Sequence, residues 1–214
     1  MRLVVLANEG SKEELLLTGI NDDCKIEWIS SSQELSLYKD ADAVIDLLFE
    51  ANGYDVSYLK DILPKSVFVN SVNKTISEIG FPFIRINGWT GFLKRNIAEV
   101  CCNDDITKVE AEKILSLLNR KAEWVPDIKG FISPRVVSMI INEAYFALEE
   151  NVSSKEEIDI AMKLGTNYPY GPFEWAKKIG LKNIVNLLIE LSKDEKRYEP
   201  ARSLLKEAEK NKWH

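Results

Sequence analysis

The sequence predicts an α/β fold, a doubly wound sheet followed by an all-α C-terminal domain. Three observations carry this. Short β-branched apolar runs alternate with helix-period stretches up to about residue 125. From Phe131 onward the strand pattern stops and apolar residues recur at helical spacing. The change falls in Pro126–Gly130, a turn-rich segment that sets a first domain of residues 1–126 and a second of 127–214.

Each element has its own signal. "RLVVLA" from Arg2 is a continuous apolar run, as expected of a strand buried on both faces. Ser11 and Glu14 form a capping-box pattern that predicts a helix through Leu17. Lys25–Ile29 reads as a second strand, Ser31–Tyr38 as a helical turn or two, and Ala43–Phe49 as a third strand. A helix is expected over Ser57–Leu63, stopped by Pro64. Further strands are expected at Ser66–Asn70, Phe83–Ile86, Ile97–Cys102 and Ala122–Val125, with a helix over Ile106–Asn119. In the second domain, helices are expected over Val136–Glu150, Ser154–Leu164, Phe173–Ile179, Leu181–Leu191 and Pro200–Glu209. Between two of them, "GTNYPYGPFEW" predicts a helix stop at Gly165, a corner at Pro169–Pro172, and a restart at Phe173.

Composition narrows the function. A net charge of -6 gives no electrostatic reason to bind nucleic acid or an anionic membrane. No apolar run approaches a membrane span, and "MRLVVLANEG" meets Glu9 too early for a signal peptide, so the expected location is cytoplasmic. Cys24, Cys101 and Cys102 are an odd set that reads as small apolar filler, and no metal site is expected.

Several stretches resemble the 3-hydroxyacyl-CoA dehydrogenase family. "GFISPRVVSMIINEAYFALEE" is similar to its "GFxxNRxxxxxxNEAxxxxEE" helix. "EEIDIAMKLGTNYPYGPFEWAKKIGL" is similar to "IDxAMxxGxGxPxGPFExxDxxGL", and "RYEPARSLLKE" to "YxPxxLLxxxV". In the first half, "DADAVIDLLFEA" resembles "DxVIEAVFED", and "VNSVNKTISEI" resembles "SNTSSLPITEI". The resemblance implies a reduced Rossmann-like domain, a helical domain that forms a homodimer contact, NAD as cofactor and an acyl-CoA as ligand.

The residues of that chemistry are altered. A dinucleotide loop needs glycines after the first strand so that the pyrophosphate reaches a helix N-terminus. Here the loop is "LANEGSKEELL", with Gly10 alone and Glu9 beside it. No acidic residue ends the second strand, where one is expected for the ribose about 20 residues on. The family's base is a histidine in "HFFNP", held by a glutamate downstream. Matching that segment's asparagine to Asn87 puts the histidine at Ile84, and Glu99 takes the glutamate's place. The lone histidine, His214, is the last residue. The serine after the "SNT" run falls at Val72 or Asn73, and the asparagine of "GFxxNR" is Pro134.

Candidate catalytic residues are therefore Glu99 and Asn73. Glu99 is either a base or a paired carboxylate. Candidate cofactor-binding residues are Gly10 and Glu50, the latter either near cofactor or on a solvated loop end. Candidate substrate contacts are Asn70, Asn87 and Arg135, the last also readable as a helix-start ion pair. Three functions follow: a divergent family member with impaired hydride transfer that retains an acyl-CoA or related ligand, a non-catalytic dimerisation or partner-binding module, and an active dehydrogenase with a rebuilt site.

Overall fold

The computed structural model describes residues 1–210, so His214 lies outside the described residues. The chain divides into two compact units, residues 1–131 and residues 132 onward.

The first unit is built on a seven-stranded sheet: β1 Arg2–Leu6, β2 Lys25–Ile29, β3 Ala43–Asp46, β4 Ser66–Asn70, β5 Ile84–Ile86, β6 Ile97–Cys101 and β7 Lys121–Trp124. Their order is β2-β1-β3-β4-β5-β6-β7. The first five run parallel, β6 pairs antiparallel to β5, and β7 pairs parallel to β6. The chain leaves β1 toward β2 and returns past it to β3, so the topological switch lies between β1 and β3. Crevices in such sheets open outside the carboxyl ends of the strands at that switch.

Strand alternation divides the core. Leu3 and Val5 join Leu15, Ala111, Ile114 and Leu115 on one face. These last four belong to α1 (Glu9–Leu16) and α3 (Asp105–Leu117). Val4 and Leu6 face Leu35, Leu59, Ile62 and Phe83 on the other. That second face carries 3-10 turns, Ser32–Tyr38 and Lys60–Ile62, where the sequence suggested helical segments. A helix over Ser57–Leu63 is replaced by turns and the short 3-10 segment. β3 stops three residues earlier than expected because the Asp46 carboxylate accepts the Leu48 N–H at 2.9 Å and turns the chain off the sheet.

α1 begins before the expected cap. Asn8, not Ser11, is the N-cap, and its Oδ1 accepts the Ser11 N–H at 2.9 Å. Glu14 is drawn into a tertiary contact instead of a capping box: both its carboxylate oxygens accept the Gly91 N–H, at 2.9 and 2.7 Å. A short α2, Ile76–Ile79, is opened by a Thr75–Glu78 capping box.

Residues 127–131 are fastened to the sheet. Fully buried Arg85 on β5 pairs with Asp127 at 2.6 Å and donates to the Ile128 carbonyl. Its guanidinium lies 4.7 Å from the Phe131 ring centroid, and Gly130 donates to the Val72 carbonyl at 2.8 Å. These contacts hold to the first unit a segment that composition alone assigned to the second.

The second unit comprises α4 Ser133–Glu149, α5 Lys155–Thr166, α6 Pro172–Ile179, α7 Leu181–Ser192 and α8 Arg202–Lys210. α4 starts earlier than its apolar spacing suggested because Pro134 suits a first turn, where its missing N–H costs nothing. α5 runs through Gly165 and ends at Asn167, which takes the left-handed conformation at φ 56°. The corner before α6 is closed by Asp159, whose carboxylate accepts the N–H groups of Phe173 at 2.8 Å and Glu174 at 3.2 Å. A Cβ on Gly171 would stand 2.2 Å from Asp159 Oδ1, so only glycine fits there. Asn142 on α4 donates to the Glu199 carbonyl at 2.9 Å and accepts the Ala201 N–H at 2.8 Å, fixing the approach to α8.

Candidate functional site

Glu50, Asn70, Asn73 and Asn87 lie at or past the ends of β3, β4 and β5, with Glu99 on the neighbouring β6, whereas Gly10 lies apart in α1. β5 and β6 are antiparallel neighbours, which brings Asn87 beside Glu99 although twelve positions separate them. Asn87 N–H donates to the Glu99 carbonyl at 3.0 Å. Asn87 Nδ2 donates to Glu99 Oε2 at 3.0 Å, and Asn87 Oδ1 accepts the Trp89 N–H at 3.3 Å. Ile84 is a fully buried core residue of β5, so the side chain held by Glu99 is that of Asn87. An amide in this place donates and accepts hydrogen bonds but takes up no proton near neutral pH.

Glu50 is a hub and not a solvated loop end. Its Oε1 accepts Tyr54 OH at 2.7 Å and the Asn73 N–H at 3.1 Å, and its Oε2 accepts Trp89 Nε1 at 3.0 Å. Asn70 ties two neighbouring loops, donating to the Leu47 carbonyl at 3.2 Å and accepting the Gly88 N–H at 3.0 Å. That contact forbids a side chain at Gly88, whose Cβ would come 2.8 Å from the Asn70 side chain. Asn73 is buried and its Oδ1 has no hydrogen-bond partner. A buried acceptor without a donor is costly, which marks this atom as one that a ligand donor would satisfy.

The cavity lined by Asn87, Glu99, Phe92, Arg95 and Arg120 measures about 10 Å³. That is room for one water-sized atom. The buried Arg120 closes one side, donating to the carbonyls of Leu118, Leu15 and Leu93. At the end of β3, burial pushes the Asp46 carboxyl up to about 6, against the lowering effect of its bonds from Tyr58 OH at 2.7 Å and Leu48 N–H. Asp46 sits at the topological switch, and sequence reasoning passed over it as one letter in an apolar run.

The loop after β1 does not match a pyrophosphate cradle. The N-terminus of α1 already holds the Asn8 side chain as its acceptor, and Glu9 stands exposed in its first turn. A Cβ on Gly10 would meet Asn8 Oδ1 at 3.7 Å, ordinary contact, so glycine is not required there. Beyond β2, Glu34 is spent on a capping box with Ser31. NAD, which the family resemblance implies, therefore has no cradle of the expected kind in these residues.

Arg135 lies in the helical unit, where it donates to Tyr198 OH at 3.4 Å with its guanidinium 5.6 Å from that ring's centroid. Pro134 is buried in the first turn of α4. Cys24, Cys101 and Cys102 are free, and burial pushes all three thiols up, Cys101 to about 11. Such thiols carry little thiolate at neutral pH and behave as apolar filler. Among the described residues no group of three or more potential metal ligands stands together, and no helix is long and apolar enough to cross a membrane.

Comparison with known proteins agrees with this architecture. Residues 130–213 match the family described as 3-hydroxyacyl-CoA dehydrogenase, C-terminal domain. The chain is 31% identical to 3-hydroxyadipyl-CoA dehydrogenase of Escherichia coli over 78% of its own length and 35% of that protein's. It is 29% identical to 3-hydroxybutyryl-CoA dehydrogenase of Clostridioides difficile over 77% of its own length and 64% of that protein's. Among solved structures, the (S)-3-hydroxybutyryl-CoA dehydrogenase of Ralstonia eutropha superposes with a TM-score of 0.74, covering 96% of this chain and 92% of that one at 21% identity. That likeness establishes the Rossmann-type fold. The alignments to the two sequence relatives span only about one third and two thirds of their lengths. The helical domain, residues 130–213, belongs to the 3-hydroxyacyl-CoA dehydrogenase family, and the relatives matched over about three quarters of the chain carry names of that family.

Proposed function

We propose that this chain is a family member that has given up hydride transfer while keeping a site for a CoA thioester or a related carboxylate. The observation that carries the reading is the bond from Asn87 Nδ2 to Glu99 Oε2. Oxidation of a hydroxyl needs a group that accepts its proton as the hydride leaves. On this reading Asn87 stands where the family's histidine would be held by a glutamate, and an amide cannot do that work. The capped α1 N-terminus and the exposed Glu9 argue in the same direction, against a bound dinucleotide. The names of the relatives suggest the substrate class, since both are dehydrogenases of 3-hydroxyacyl-CoA thioesters. Asn73 Oδ1 supplies an acceptor for a ligand hydroxyl. The water-sized cavity beside Asn87 and Glu99 admits one ligand oxygen. A cytoplasmic setting suits three cysteines that form no disulfide.

Calorimetric titration with 3-hydroxybutyryl-CoA, acetoacetyl-CoA and NADH tests the reading. Heat is expected with a thioester and none with NADH. Silence with all three removes the ligand site. Heat with NADH removes the loss of the cofactor.

A second reading, a dimerising module, has its own support. α5 is amphipathic in sequence, yet Asp159 is its one buried residue, and Ile160 and Leu164 are 52% and 84% exposed. An apolar face left open in this way suits a second copy of the chain. Sedimentation at several concentrations decides it, with a monomer throughout counting against the module.

A further inference from the structure

The helical unit contains a groove that none of the residues discussed as a site lines. It encloses about 680 Å³, within the usual range for small-molecule sites. Its floor is aromatic, with Tyr145 and Phe173 meeting edge to face at a centroid separation of 5.0 Å. Lys155 covers both rings, 5.3 Å from one centroid and 5.2 Å from the other, and is balanced by Glu207 at 2.5 Å. Burial and the neighbouring Glu207 carboxylate together push the Tyr145 hydroxyl above the ordinary tyrosine range. Lys155 and Glu207 thus satisfy each other.

Lys177 and Lys182 also line the groove, both exposed, and neither has an ion pair or hydrogen bond among the described residues. The lining therefore carries three cations against one carboxylate, in a chain whose net charge is -6. A solvated lysine face is ordinary. Two unpaired ammonium groups beside a concave aromatic floor are not, because the floor is apolar surface that water covers poorly.

We propose that this groove binds a small organic anion, a carboxylate or phosphate head on an apolar body. The body lies on Tyr145 and Phe173, and Lys177 and Lys182 hold the head. A neutral apolar molecule would leave the two cations unused, and an inorganic anion would leave the rings wet. The two head groups share one chemistry here, since an ammonium group binds either as a point charge.

Titration calorimetry of the full chain with octanoate, octyl phosphate and 1-octanol tests this. One anion is expected to bind per chain, more weakly as salt rises, with 1-octanol clearly weaker. The comparison of octanoate with octyl phosphate identifies the head group. In Lys177→Glu/Lys182→Glu the anion should bind at least about tenfold more weakly, the effect of losing one charge-assisted contact. Lys60→Glu, an exposed lysine of the other unit, should leave binding unchanged. A melting curve checks that the double variant folds, and Lys177→Ala/Lys182→Ala replaces it if it does not. Equal binding of 1-octanol, equal loss in Lys60→Glu, or no heat from either anion at millimolar concentration would overturn the proposal. So would a dimer that Lys177→Glu/Lys182→Glu disperses, which would give the groove to a second copy.

Discussion

Replacing Gly171 with alanine tests the corner between α5 and α6. The added Cβ would lie 2.2 Å from Asp159 Oδ1 and 2.4 Å from its Cβ and Cγ, all atoms of a buried side chain. No such contact survives in a real structure, so Asp159 must swing away. Its two acceptor bonds to Phe173 N–H and Glu174 N–H then break. Loss of a helix cap costs about 1 kcal/mol, up to about 2. A part-buried N–H left without an acceptor adds roughly 1–3 kcal/mol. The expected destabilisation is therefore about 2–4 kcal/mol, and a chain of this size loses roughly 2–4 °C of Tm per kcal/mol. Thermal melting followed by circular dichroism reads it. Asp159→Ala loses the same cap, so the double variant Asp159→Ala/Gly171→Ala should cost little more than either single one. A Gly171→Ala protein as stable as the parent, or strictly additive effects, would refute the account of this corner.

Other perturbations probe the first unit. Burial holds the Asp46 carboxyl at about 6 against an ordinary 3.8, so the folded chain binds that proton more tightly than the unfolded chain. Its contribution to stability is fully present below about pH 4 and is lost as pH rises through about 6, a change of about 3 kcal/mol. Asp46→Asn should flatten urea midpoints between pH 4 and 7, and an unchanged slope would contradict the assignment. Removing Asp127 as Asp127→Ala leaves the buried Arg85 guanidinium without its counter-ion and should cost about 3 kcal/mol or more by urea unfolding. A cost below about 1 kcal/mol would show that the pair is not what anchors residues 127–131. Asn87→His sets an imidazole against Glu99, and its NMR titration should give a pKa above the usual value of about 6.5, because the carboxylate favours the charged ring. A ring titrating at or below that value would mean Glu99 does not face position 87.

Much of the sheet was legible because buried parallel strands need continuous apolar runs, which "RLVVLA" and "SVFVN" supply. Element ends were less so. Asn8 and Ser11 are both good caps, and the choice between them was settled by Gly91, which recruits Glu14 from 77 positions away. The end of α5 hid behind Gly165 because asparagine also adopts the left-handed conformation, here at Asn167. Helix α2 was missed although Thr75 and Glu78 spell its capping box, because four residues give no measurable periodicity. In the site, Asn87 and Glu99 were each singled out, but their partnership depends on the antiparallel turn-back of β6 onto β5. Local spacing carries no trace of that register. Arg85 and Asp127 escaped for the same reason, a charge inside an apolar strand whose partner lies 42 positions on.

The central claim is that an amide paired to Glu99 leaves no group to take the hydroxyl proton. It is tested most directly by following the NADH absorbance band while the purified chain is mixed with 3-hydroxybutyryl-CoA and NAD. The account predicts no turnover above the buffer rate at any pH between 6 and 9. Turnover that is present in the parent chain and lost in Glu99→Gln would contradict it, because Glu99 would then be serving as the base.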